Sequence, residues 1–315
     1  MRSPNPGTHQ ACRSLLQKAI RRGYSTLARS VAIHLDEVGD RAWLRMRSAV
    51  IVCEECWPMV YRLDSAASSG AILELIDELA RTVKNKDAAG LGSLAYAHSR
   101  GDMSVLIGSE SDEYIVCLSD AVKHPSGFWM RALAESERDT QKTQTIEALH
   151  RAYRRGGWPW DRAFIQTAAF WVLTGSPVRI TEVNESTGTF PYWAALDKHT
   201  ALGKEVLRHV ASTLKVSPQK LAWTSFYLES ARVNQASESS WWAREQQWRL
   251  SRVKLDLTEA KRLWESAKPL MIAALRNEAQ NLENHVLRSA TAVGSCETPA
   301  TKEQQIPELS QLSLF

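Results

Sequence analysis

The chain has 315 residues, of which 44% are hydrophobic and 23% charged, with a formal net charge of +4. That is enough apolar material to bury one large core or two modest ones without covalent staples, and so small a charge does not by itself point to a nucleic-acid partner. The longest apolar runs, at 49–53 and 168–173, fall far short of the roughly 20 residues a membrane-spanning helix requires, so no membrane partner is expected.

Residues 1–10 read as a flexible N-terminus: Met1 to Gly7 carry a positive charge with no apolar run behind it, unlike a secretory signal. Five cysteines, Cys12, Cys53, Cys56, Cys117 and Cys296, form an odd, irregular set. Free thiols in a reducing cytoplasm fit this better than a disulfide framework. Charge is unevenly spread. Arg13 to Arg47 hold eight Lys and Arg against three Asp and Glu, whereas Glu54 to Glu113 hold eleven acids against five bases. Such polarity suits an oriented binding surface, and solvated helix faces also produce it.

Apolar residues at three- and four-residue spacing predict an all-α, multi-helical array over 11–290. A first stripe uses Leu15, Leu16, Ala19 and Ile20 and ends at Gly23. A second uses Leu27, Val31, Ile33 and Leu35 and stops near Gly39. A third runs from Trp43 to Ile51 and ends before Pro58, and a fourth, after the Ser68-Ser69-Gly70 break, runs from Ile72 to Val83. The stretch 104–108 reads as a short strand or a linker. A boundary near 136 separates a first helical domain, 11–135, from a second helical block, 136–290. Helices are expected there at 139–155, 159–173, 202–214 and 218–233, with a long irregular connection between Gly175 and His199, a kind of loop that is often functional. Residues 241–287 read as two charged helices broken or bent at Pro269. Ala19-Ile20-Arg21-Arg22-Gly23 and Ala152-Tyr153-Arg154-Arg155-Gly156 echo one another, but basic residues followed by glycine also suit any helix C-terminus.

From 291 the composition turns polar with two prolines, which predicts a disordered tail. It ends in Gln311-Leu312-Ser313-Leu314-Phe315. Large apolar residues on a polar tail have no core to join and call for a partner cleft. The pentapeptide resembles the consensus by which bacterial polymerases and repair factors bind the β sliding clamp. That resemblance implies that Gln311 enters a small polar subsite, that Leu314 and Phe315 fill the apolar pocket, and that Leu312 and Ser313 lie between them, with Leu312 in support. Composition alone would place Gln, Leu, Leu and Phe at these positions in roughly one of 10^5 chains.

Residues 16–55 more weakly resemble the C-terminal helical region of the MgsA/RarA group of AAA+ replication-associated proteins. Lys18, Arg21, Arg22 and Gly23 match a Lys-Ser-x-Arg-Gly-like element, and Cys53-Glu54-Glu55 falls where that group has an acidic pair. The resemblance implies an oligomerisation or scaffold portion, with AAA+ or clamp-loader subunits or self-association as partners. The phosphate loop Gly-x-x-x-x-Gly-Lys-Ser/Thr is missing from the sequence. ATP hydrolysis is therefore not expected, nor is a cofactor.

Other constellations are less specific. Cys53-Glu54-Glu55-Cys56 has the spacing of a zinc or redox half-site, yet no second pair completes four ligands, so no metal is expected. Asp197 and His199 would form an acid–base pair only if the chain is extended between them, and Thr200 is a natural N-cap. Trp241, Trp242, Arg244, Trp248, Arg249 and Arg252 interleave aromatics with cations, as single-stranded nucleic acid requires. With Arg21 and Arg22 they are the candidate DNA contacts, although Trp241, Trp248 and Leu255 also recur every seventh residue as packing residues do. The resulting expectation is a cytoplasmic, nucleoid-associated, non-catalytic accessory protein of replication or repair. The alternatives are a mobile-element protein that blocks the clamp and an enzyme using the 175–200 loop.

Overall fold

The computed structural model describes residues 6–63, 68–175, 180–237 and 239–294. Among these, helix is the repeating element and no strand forms. The first three helices are α1 (Pro6–Arg21), α2 (Ser25–Glu37) and α3 (Arg41–Glu55), and they follow the predicted stripes. Leu15, Leu16, Ile20, Val31, Leu35 and Ile51 are almost completely buried. Gly23 and Gly39 close the first two turns at φ +77° and +92°, a left-handed conformation in which a side chain is strained. A 3₁₀ turn at Trp57–Arg62 leads towards α4 (Ser69–Ala80), whose N-cap Ser68 accepts from Ala71 N at 3.1 Å. Val83 lies beyond this helix, and its N–H donates to Thr181 O at 2.9 Å.

The centre of the molecule is α5 (Asp87–Ser99), buried around most of its circumference. Glycine lets other backbones approach it. A Cβ on Gly90 would lie 2.4 Å from the Trp241 carbonyl carbon, and one on Gly92 would lie 2.9 Å from Thr167 Oγ1. Residues 103–105 form a 3₁₀ turn rather than a strand, and are followed by α6 (Asp112–Lys123), α7 (Pro125–Ser136), α8 (Thr140–Arg155) and α9 (Pro159–Thr174). A helix boundary does fall at 136. Apolar packing nevertheless continues across it, because α9 lies against α5 and α8 against α3.

The irregular connection after Gly175 is pinned to the first helices. Val183 N donates to Arg81 O at 2.7 Å, Ser186 N to Gly23 O at 2.9 Å, and Thr26 N to Glu185 Oε1 at 2.7 Å. Glu185 thereby satisfies backbone at the start of α2, which has no capping side chain of its own. Beyond it come α10 (Ala201–Thr213), capped by Thr200, then α11 (Pro218–Ser225) running into a π turn at Phe226–Ser230, and α12 (Ser240–Ser251). The final helix, α13 (Leu257–Gly294), is continuous through Pro269. The expected break lies instead at 252–256, where Lys254 has φ +55°. Pro269 is tolerated because it sits on the exposed side of α13, where water can satisfy the carbonyl it leaves unpaired. Residues 291–294, expected to belong to the tail, complete α13; the rest of the polar tail and the pentapeptide Gln311 to Phe315 lie outside the described residues.

Candidate functional site

The basic residues of α1 meet the acidic residues of α3 inside the protein. Arg21 donates to Glu55 at 2.5 Å through Nη2 and 2.8 Å through Nε, and to Glu54 at 2.9 Å. It also donates to the Ser230 carbonyl. Lys86 completes the group with Nζ 2.9 Å from Glu55 Oε2. Burial pushes the Glu55 carboxyl up, but Arg21 and Lys86 outweigh that penalty and hold it below the usual carboxylate range. Arg22 donates to Glu229 Oε1 at 2.9 Å and to the Glu229 carbonyl at 2.7 Å. Lys18 reaches Asp197 at 2.8 Å.

These cations are 2–4% exposed. Arg21 and Arg22, expected as DNA contacts, are therefore directed inward, because carboxylates from α3 and the 226–230 turn occupy their donors. A phosphate outside the protein does not reach either guanidinium in this packing. The uneven charge seen along the sequence is here largely internal complementarity. Lys84 is a different kind of buried cation. Among the described residues it pairs with no carboxylate, and its Nζ donates to the carbonyls of Leu79, Ala80 and Thr82 at 2.5–3.1 Å. It thus caps the negative end of α4, and burial lowers its pKa to about 8.

The aromatic-basic stretch on α12 is also engaged internally. Trp241 and Trp248 are 9% and 6% exposed, as their seven-residue spacing allows, and Trp248 donates to Ser104 Oγ at 3.1 Å. Trp242 is half-buried with Lys86 Nζ 4.4 Å from its ring centre. Arg244 is paired with Asp112 and donates to Val105 O at 2.7 Å. Arg249 bonds Glu245 at 3.3 Å and stacks among Trp160, Trp223 and Trp248. Arg252 is paired with Asp102, although half of its side chain faces solvent. Among these residues Arg252 alone presents substantial cationic surface outward.

The outward cluster is at the other arginine-glycine element. At the end of α8, Arg154 and Arg155 are exposed, and neither forms an ion pair among the described residues. Trp158, the N-cap of α9, is 71% exposed. Arg162 sits in the first turn of α9 and ties the corner together, its Nε donating to Gly156 O at 3.0 Å and its guanidinium lying 5.4 Å from the Tyr153 ring centre. An exposed indole three residues from two exposed arginines is a combination that can stack a base and hold phosphates. In the sequence, Arg154 and Arg155 stand out only as an echo of Arg21 and Arg22. The available signal was Trp158 beside them, an aromatic without helical companions.

Asp197 and His199 do share a side. His199 Nδ1 lies 3.0 Å from Asp197 Oδ2, and the His199 backbone N donates to Asp197 Oδ1 at 3.0 Å. Asp197 is buried and holds Lys18 as well, so its carboxylate secures the 175–200 connection to α1. Between them, Lys198 places Nζ 3.3 Å from the Trp223 ring centre and 4.0 Å from that of Phe226, and burial lowers its pKa to about 7. Cys53 is fully buried and Cys56 donates to Val83 O at 3.4 Å. Burial pushes both thiols up, Cys56 to about 11, as expected for packing residues rather than nucleophiles. No family model, curated protein or solved structure matches the chain.

Proposed function

We propose that the protein is an accessory factor of DNA replication or repair that binds the bacterial β sliding clamp through Gln311, Leu312, Ser313, Leu314 and Phe315. One observation carries this reading: the agreement of Gln-Leu-Ser-Leu-Phe with the clamp-binding consensus, in a stretch that is otherwise mostly polar. Leu314 and Phe315 would each contribute about 2–3 kcal/mol on burial, giving at best about micromolar affinity for so short a peptide. Residues 295–310 separate α13 from the peptide and span at most about 55 Å when extended, so the helical body stays close to the DNA the clamp encircles. On this reading the body meets nucleic acid through Arg154, Arg155 and Trp158, the exposed cationic and aromatic groups, while the buried network around Arg21 supports the scaffold.

Clamp binding by the full-length protein, compared with a variant lacking residues 311–315, tests the proposal. Loss of at least tenfold in affinity supports it; equal binding by both proteins overturns it. A replication assay with added protein then separates an accessory factor, which sustains synthesis, from a clamp blocker. Blocking would slow synthesis and would be relieved by Leu314→Ala with Phe315→Ala.

A further inference from the structure

Three helices distant in sequence bring a thiol and two imidazoles together. Cys12 on α1, His34 on α2 and His285 on α13 have ligand atoms all within 4.8 Å of one another. Cys12 is fully buried, His34 is 8% exposed and His285 is half-buried. The two Nε2 atoms face each other at 3.1 Å, with the rings nearly perpendicular at 85°.

We propose that Cys12, His34 and His285 form a binding site for a borderline-soft divalent cation of the zinc class, with water as the fourth ligand. Tetrahedral zinc, with Zn–N of about 2.0–2.1 Å and Zn–S of about 2.3 Å, sets two imidazole nitrogens about 3.3 Å apart and sulfur about 3.6 Å from each. The nitrogen pair already stands near that separation, and closing the thiol requires a shift of about 1.2 Å at most, within the reach of side-chain rotation. One sulfur with two imidazole nitrogens is a donor set that suits zinc and disfavours magnesium or calcium.

The surroundings agree. Cys12 and His34 are buried and the cluster sits beside core residues Leu282 and Val286, so a bound cation would be largely shielded from bulk water. Coordination takes neutral imidazoles and a thiolate, so the cation displaces the Cys12 thiol proton to the solvent as it binds. His9, one turn before Cys12, is held by Asp40. The cation would fasten the far part of α13 to α1 and α2, the same helix that leads towards the proposed clamp peptide. The site itself does not depend on that function.

The test is titration of chelator-treated full-length protein with Co(II), followed by Zn(II). One equivalent of cobalt should produce the intense visible bands of a tetrahedral site and a near-ultraviolet thiolate-to-cobalt band, and zinc should abolish both. Cys12→Ser should lose the thiolate band. His285→Ala, at the most accessible of the three positions, should weaken binding at least tenfold with an unchanged circular dichroism spectrum, while His209→Ala, exposed on α10, should bind as the parent does. Should Cys12→Ser fail to fold, the parent spectrum and His285→Ala still decide the matter. No cobalt uptake, uptake without a thiolate band, or parental affinity in His285→Ala each overturns the proposal.

Discussion

Arg21-Arg22-Gly23 and Arg154-Arg155-Gly156 are the same three residues at the ends of two helices, and their environments are opposite. At the first, carboxylates from α3 and the 226–230 turn draw both guanidinium groups inside, and the 181–186 segment covers the glycine through Ser186, which bonds the carbonyls of Arg22 and Gly23. At the second, both arginines project into solvent beside Trp158. The backbones differ too, since Gly23 has φ +77° whereas Gly156 has φ −61°. Local capping preference explains why basic residues and glycine end both helices. It does not determine which way the side chains face, because that depends on what packs against them.

The widest separation between the corners should come from removing one arginine. Arg21→Ala leaves Glu55 buried without its main partner and is expected to cost about 3–5 kcal/mol in urea unfolding. Arg154→Ala should stay within about 0.5 kcal/mol of the parent. If the two variants unfold alike, the inward corner does not support the fold.

Acid offers a second way to divide them. Glu55 and Asp197 have folded pKa values below their ordinary 4.5 and 3.8. In the unfolded chain they bind protons first as pH falls, so their contribution is complete above those ordinary values and is lost as pH drops through the folded ones. Thermal unfolding should show little effect of these groups between pH 5 and 7 and a steep loss below about pH 4. Glu55→Gln should start lower and lose less.

The glycines should differ next. Gly23→Ala places a side chain in the left-handed region, with Ser186 Oγ 3.3 Å from the new Cβ, and should cost about 1–2 kcal/mol. At Gly156 the backbone is ordinary and the nearest atom is 3.4 Å away, so Ala should change stability little. The smallest change concerns binding and reverses the order of the corners. Arg154→Glu with Arg155→Glu should weaken single-stranded DNA binding by about tenfold or more, with a shallower salt dependence, and leave the melting temperature within a few degrees. A charge-reversed corner that binds DNA as the parent does would remove nucleic acid from this part of the proposal.

Much of the fold was legible because helical periodicity, caps and breakers are local. Thr200, Ser68 and Pro159 stand at helix starts as read, and Leu15, Leu35 and Ile76 are buried as their stripes require. The central helix α5 was not singled out. It is apolar on nearly every side, so it has no stripe, and Gly90 and Gly92 look like breakers although they allow close packing. Pro269 misled in the opposite sense, since a proline on the wet side of a long helix need not end it.

The sequence by itself determined that the chain is helical and roughly where most helices start and stop, and it is the source of the resemblance of Gln311 to Phe315 to a clamp-binding consensus. Tertiary structure alone decided which of two identical arginine pairs is internal, that Asp197 meets both Lys18 and His199, and that Cys12, His34 and His285 converge. The physical reason is range. Caps and amphipathic stripes act over a few residues, whereas desolvation and charge pairing depend on neighbours that only the packed helices bring into contact.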